Sequence, residues 1–206
     1  MNRALPAQRP SRRAEIVRAA IAQFARKGFI DASLSHVAEQ ANVTVTAVYY
    51  HFSSKEELFN EALRTVFEAI NLAVSTARSG GGPADRAALD AVIDAFWTWT
   101  DNHPDETALV HIHIPGVTRQ AALLREEFEE LHVRRALAYL PRYSTTSDAA
   151  TVAATHAAAT LAARTLVDVL MAVHPLRLAD GPLSQDASAH LQAAMRKISH
   201  RIVLMD

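Results

Sequence analysis

Val45-Thr46-Ala47-Val48-Tyr49-Tyr50-His51-Phe52 is the stretch on which the fold turns. Thr44 precedes it as a helix N-cap, Val48 and Phe52 lie one helical turn apart as core anchors, and Tyr49, Tyr50 and His51 occupy the other faces. A helix this short holds only against neighbours. Its flanks supply them. Upstream, Ser33 caps a second short helix in which Leu34, Val37, Ala38 and Ala41 fall at i, i+3, i+4 and i+7, a single buried face. Asn42 marks the turn between the two, because asparagine tolerates the left-handed backbone conformation.

Working outward, Ser11 caps a longer helix with Ile16, Val17, Ala20, Ile21 and Phe24 at helical spacing and Gly28 as its stop. Downstream, Ser54-Lys55-Glu56-Glu57 reads as a capping box opening a long fourth helix. Its apolar set, Leu58, Phe59, Ala62, Leu63, Val66, Phe67 and Ile70, runs on toward Gly80-Gly81-Gly82-Pro83. That glycine run follows no strand, so it carries no phosphate-loop reading. Two short helices on a tight turn, braced by a longer amphipathic one, have helix-turn-helix geometry.

The rest of the chain is helical by the same criteria. A fifth helix over 84–102 carries Leu89, Val92, Ile93, Phe96 and Trp97 in one stripe, and Pro104 opens a sixth, ended by Pro115-Gly116. A seventh over 118–140 combines Leu124, Phe128, Leu131 and Leu137 with Glu126, Glu127, Glu129 and Glu130, read as a solvated face, before Pro141 stops it. An alanine-rich eighth spans 147–174. A ninth spans 184–204. The expectation is an all-α chain of about nine helices without internal repeats: a flexible arm at 1–10, a helix-turn-helix domain at 11–57 and a larger helical domain at 58–206.

Composition agrees with a folded chain, half apolar and 21% charged over 206 residues. With no cysteine, disulfides, thiolate metal sites and cysteine nucleophiles are excluded. No uninterrupted apolar run of membrane-spanning length and no leader-like segment are read, so a cytoplasmic location is expected. The net charge of −1 hides an asymmetry. Residues 1–55 hold eight basic residues (Arg3, Arg9, Arg12, Arg13, Arg18, Arg26, Lys27, Lys55) against Glu15, Asp31 and Glu39, hence +5, leaving −6 on the remainder. A basic head on an acidic body suits a polyanion partner.

Residues 11–63 resemble the TetR (tetracycline-repressor-like) family of bacterial regulators. The likeness lies in Ala19-Ala20-Ile21-Ala22-Gln23-Phe24 with Gly28-Phe29, in Val37-Ala38-Glu39-Gln40-Ala41-Asn42-Val43-Thr44, and in Val48-Tyr49-Tyr50-His51-Phe52 with Lys55-Glu56-Glu57-Leu58. Asn42 stands where the family usually has glycine, and Ala32 where threonine often begins the second helix. The resemblance implies a homodimer on a palindromic double-stranded DNA operator, a small-molecule effector in the larger domain, no cofactor, no membrane partner and no enzymatic activity.

Thr44, Val45, Thr46 and Tyr49 are the candidates for base contact, Val45 only through apolar contact such as a thymine methyl. With so few polar readers, groove shape contributes to specificity. By resemblance Tyr50, His51 and Lys55 form a phosphate clamp, helped by Ser33 and Ser35; such contacts fix register without reading sequence. Arg12 and Arg13 read equally as groove-reaching or as a solvated arm. In the larger domain, Ala149, Ala150, Ala153, Ala154, Ala157, Ala158 and Ala159 would let a helix approach closely, and the last two helices are the expected dimer interface. Phe67, Phe96, Trp97, His111, His113, Phe128 and Met171 are the candidates for a ligand pocket, each equally readable as ordinary core. His111 and His113, two apart, fall on different helix faces, so a metal site is not expected and a polar lining or hydrogen-bonded core role is. The leading reading is a repressor relieved by a small apolar or amphipathic ligand. The alternatives are a dimeric regulator without an effector and a small helical enzyme or metal-binding protein.

Overall fold

Capping side chains set the helix starts of the computed structural model, which describes residues 11–78, 85–112, 117–139, 149–177, 182–184 and 187–204. In α1 (Arg12–Asp31) the Ser11 hydroxyl accepts the Ala14 N–H at 3.3 Å. Gly28, at φ 68° and ψ 177°, breaks that helix, and the chain resumes for a last turn to Asp31. The expected stop is thus an internal kink. In α2 (Leu34–Gln40) Ser33 accepts from Ser35 N–H. Asn42 sits at φ 51°, while its N–H donates to Glu39 O and the Val43 N–H to Ala38 O. Together these bonds form a Schellman end, the turn expected of Asn42. Thr44 Oγ1 then accepts the Ala47 N–H at 3.1 Å and opens α3 (Val45–His51).

The capping box before α4 (Lys55–Arg78) differs from expectation by one residue. Ser54 Oγ accepts the Glu57 N–H, but the Glu57 carboxylate returns to the N–H and hydroxyl of Ser53 rather than to Ser54. Those bonds hold the Glu57 carboxyl below its ordinary pKa. Then follow α5 (Arg86–Asn102), capped by Asp85; α6 (Pro104–Ile112); α7 (Arg119–Ala136), capped by Thr118 and continued by a 3-10 turn at Leu137–Tyr139; α8 (Ala149–Arg177); and α9 (Ser188–Leu204). Among the described residues there are nine α-helices and no strand. The expected starts at 84 and 184 are early by two and four residues, because Asp85 is the cap of the fifth helix and 182–184 form a turn, while the expected start at 147 lies outside the described residues. The arm, Gly80 to Pro83, Pro115-Gly116 and Pro141 lie outside the described residues, as do the side chains of 149–155.

Past His174, the expected end of the eighth helix, α8 runs on through Pro175 to Arg177. Proline has no N–H for the carbonyl four residues back, that of Met171. His111 donates to that carbonyl instead. A side chain from α6 therefore satisfies the acceptor that the proline frees.

Packing ties the elements into one continuous hydrophobic core. α1 lies against α2, α4 and α6; α4 runs on to α5 and α7; α8 packs on α7 and α9. Where α1 meets α4, Phe24 and Phe59 meet edge to face at 4.9 Å and Phe29 joins at 5.1 Å. Each such buried ring stabilises by about 1.5–3 kcal/mol relative to exposure. One sequence reading is corrected in α7. Glu126 and Glu127 are exposed, but Glu129 and Glu130 pair with Arg164 of α8 at 3.5 and 3.4 Å, so half of the expected solvated face is an interhelix seam. By length and composition His156–Arg177 of α8 is apolar enough to cross a membrane, but Arg164 and Asp168 interrupt it, so the reading of no uninterrupted apolar run of that length stands.

Candidate functional site

The outward side of α3 is set by its two anchors. Val48 and Phe52 are buried, which turns Tyr49 and Tyr50 to solvent at 53% and 86% exposure, large for aromatic side chains. Thr44 and Thr46 are exposed beside them, with Ser35 across the turn, while Ser33, Val45 and His51 are half-buried. The Tyr50 and His51 rings meet edge to face at 5.2 Å. Three of these groups already have partners. Thr44 and Ser33 use an oxygen as a cap, and Val45 leans on the core, leaving less of its surface for a thymine methyl.

Lys55 is held differently from the sequence reading, which gave it an anion. Its Nζ donates to the Ile30 carbonyl at 2.8 Å and lies 5.0 Å from the centre of the Phe29 ring. The ammonium thereby closes the last turn of α1 after the Gly28 kink. Arg13, read equally as groove-reaching or as a solvated arm, lies 4.7 Å over the Phe52 ring and bonds Glu61, which raises the arginine pKa and lowers that of the acid. Basic residues around the head are therefore partly spent on its own construction.

A cavity of about 370 Å³ opens between α4, α5, α7 and α8. Three of the candidates named from sequence line it: Phe96, Phe128 and Met171. Phe67 stacks on Phe128 from behind at 4.5 Å. Trp97 is buried and donates its indole N–H to Ser188 Oγ at 2.8 Å, apart from the cavity. His113 lies outside the described residues. Sequence reasoning missed Ile70, Val74 and Arg78 on α4, and His132, Arg135 and Tyr139 beyond Phe128. The signal was there: 70, 74, 78 and 128, 132, 135, 139 are helical stripes facing one another.

His111 belongs to the packing beside the cavity. Its ring lies 5.3 Å from that of His174, with Phe96 and Trp97 around the pair. Desolvation carries the His111 pKa down to about 4, with Arg125 adding, and carries that of His174 lower still. Both rings are neutral at pH 7. Arg177, stacked 3.9 Å over Trp97, donates to His174 Nδ1 at 3.0 Å, which places the remaining proton on Nε2. Among the described residues no cluster of three metal-ligating side chains occurs.

Comparison with known proteins follows the division between head and body. Residues 16–62 match the family described as bacterial regulatory proteins, tetR family. Over 49 residues the chain is 49% identical to the probable acrEF/envCD operon repressor of Escherichia coli (strain K12), a match covering 24% of this chain and 22% of that protein. Over 100 residues it is 28% identical to the HTH-type transcriptional regulator BetI of Stenotrophomonas maltophilia (strain R551-3), covering 48% of this chain and 50% of the relative. The matched stretches thus span from about a fifth to 60% of the length of these curated relatives. A solved TetR-like transcriptional regulator from Rhodococcus sp. RHA1 superimposes with a TM-score of 0.74 at 18% identity, covering 97% of this chain and 100% of the other. Residues 16–62 thus match the tetR family of bacterial regulatory proteins by sequence, and the whole chain shares the fold of that solved regulator.

Proposed function

We propose that the protein is a homodimeric, sequence-specific DNA-binding repressor that releases its operator when a small amphipathic ligand fills the cavity between α4, α5, α7 and α8. One observation carries this reading. The helix that begins three residues after α3 ends as a wall of the cavity, through Ile70, Val74 and Arg78. A ligand that favours one orientation of α4 over another therefore alters the seating of α3, to the extent of its differential affinity for the two states.

In the bound state Tyr50 and His51 sit on phosphates with Ser33 and Ser35 on the opposite backbone, and Thr44, Val45, Thr46 and Tyr49 face the bases. Lys55 assists only when it leaves the Ile30 carbonyl. A two-fold dimer would set two such helices about 34–36 Å apart on a palindromic operator. Its interface is α8 with α9, whose exposed Leu161, Leu176 and Ile198 have no cover within one chain. A cytoplasmic location goes with this role. The cavity favours this reading over a regulator without an effector.

Selection of bound sequences from a random DNA pool gives the operator. On it Tyr50→Ala is expected to weaken binding about 10-fold to 100-fold, the worth of one or two charge-assisted contacts, with helicity and dimerisation unchanged. Unchanged affinity at matched salt would overturn the seating of α3.

A further inference from the structure

Two guanidinium groups converge at one end of the cavity. Arg78, the last residue of α4, lies 5.3 Å over the Tyr139 ring, and Arg135 comes from the last turn of α7. They are close enough that Arg78 lowers the Arg135 pKa, second to desolvation. Among the described residues neither forms an ion pair with a carboxylate; Arg135 bonds the Asn71 amide oxygen. Asp85, whose charge raises the Tyr139 pKa, spends an oxygen on capping Ala88. The helix ends offer partial compensation, since carbonyl termini favour a cation. That accounts for each arginine alone and not for bringing two together.

The other groups at this end point the same way. His132 and Tyr139 line the cavity, and His132 Nε2 and the Tyr139 hydroxyl are buried without hydrogen-bond partners. Buried polar atoms of this kind are uncommon without a reason. The rest of the lining is largely apolar, with Val92, Phe96, Leu170 and Met171 among it. Arg78 is exposed and Arg135 half-buried, so the charge lies toward solvent and the apolar surface away from it.

We propose that the cavity takes an anionic amphiphile, with its apolar body between α5 and α8 and its carboxylate between Arg78 and Arg135. This rests on the ligand reading above and adds the class of ligand. A carboxylate matches two planar guanidinium forks and removes their mutual repulsion, whereas a neutral head leaves the repulsion and a cationic head adds to it. Bridging Arg78 to Arg135 also joins α4 to α7, giving the ligand a contact made in only one orientation of α4.

Isothermal titration of the full-length protein with decanoate, decanol and decylamine tests this with one chain and three heads. Decanoate is expected to bind about 10-fold tighter than decanol or more, the scale of one charge-assisted pair, with decylamine weakest. In Arg78→Gln and in Arg135→Gln the advantage of decanoate over decanol should shrink while decanol affinity holds. The ratio within one variant is insensitive to a general loss of stability, and exposed Arg78 guards against misfolding at Arg135. Equal binding of acid and alcohol, or an unchanged ratio in both variants, overturns the anionic class and leaves the ligand cavity standing. Failure of all three to bind, with the operator complex indifferent to each, overturns both.

Discussion

The head and the body of this molecule bury polar groups on different terms. Around α1 to α3 Gln23 is the one polar side chain buried among the described residues, and side-chain oxygens are used at helix ends, where Ser11, Ser33 and Thr44 take backbone N–H groups. In the body His111, His132, Tyr139, His174 and Ser199 each hold a buried atom with no partner. Sequence likeness reaches 49% over 49 residues of one relative, whereas the fold is shared over 97% of the chain at 18% identity. Unpaired polar atoms are costly in a core and useful beside a ligand.

The comparison breaks most readily at the junction. Phe59→Ala, at the Phe24–Phe29–Phe59 cluster, is expected to cost about 3–5 kcal/mol. Both tryptophans, Trp97 and Trp99, lie in α5, so their fluorescence reports the body alone. Because the core is continuous, fluorescence and far-ultraviolet circular dichroism should melt together in this variant. A helical transition that precedes the fluorescence change would show head and body to be separate folding units.

Acid sharpens the contrast next. The folded-state pKa of His111 lies at about 4, below its ordinary 6.5, so the unfolded chain takes up the proton first. Its contribution is intact above pH 6.5 and is lost as pH falls toward 4, on the order of 3 kcal/mol for this residue. Urea titrations at pH 7 and pH 5 followed by tryptophan fluorescence should show the fall. His111→Leu should lessen it by one residue's share, since His132 and His174 are also held neutral by burial and carry the remainder; an unchanged slope would remove His111 from the account.

A smaller effect isolates the Pro175 compensation. His111→Leu leaves the Met171 carbonyl buried without a donor, at a cost of about 1–3 kcal/mol. Adding Pro175→Ala restores a backbone N–H four residues on and should recover about 1 kcal/mol of that loss. Additive behaviour in the double-mutant cycle would mean the two residues do not share that carbonyl.

Legibility followed the same division. Ser33, Asn42 and Thr44 announced their roles because caps and turns are local, so α2, α3 and the turn between them were readable to within a residue. Gly28 announced a break but not that one more turn would follow it, since that turn is closed by Lys55 from 25 positions away. In the body Phe96, Phe128 and Met171 were found by size and spacing. Arg78 and Arg135 were not, because their interest lies in meeting across two helices. Glu129 misled for the same reason: its partner, Arg164, is on another helix. The expected end of the eighth helix at His174 fell short of Arg177, since the donor that makes Pro175 tolerable lies on α6.

α4 is also a measuring rod. Its 24 residues span about 36 Å at 1.5 Å per residue, from the first residue after the head's turn to the arginine at the cavity mouth. Pivoted at one end by about 5°, a rod of that length carries its far end about 3 Å, close to the advance of one base pair along a DNA helix. A tilt too slight to disturb the packing along α4 is therefore enough to put a recognition helix out of register.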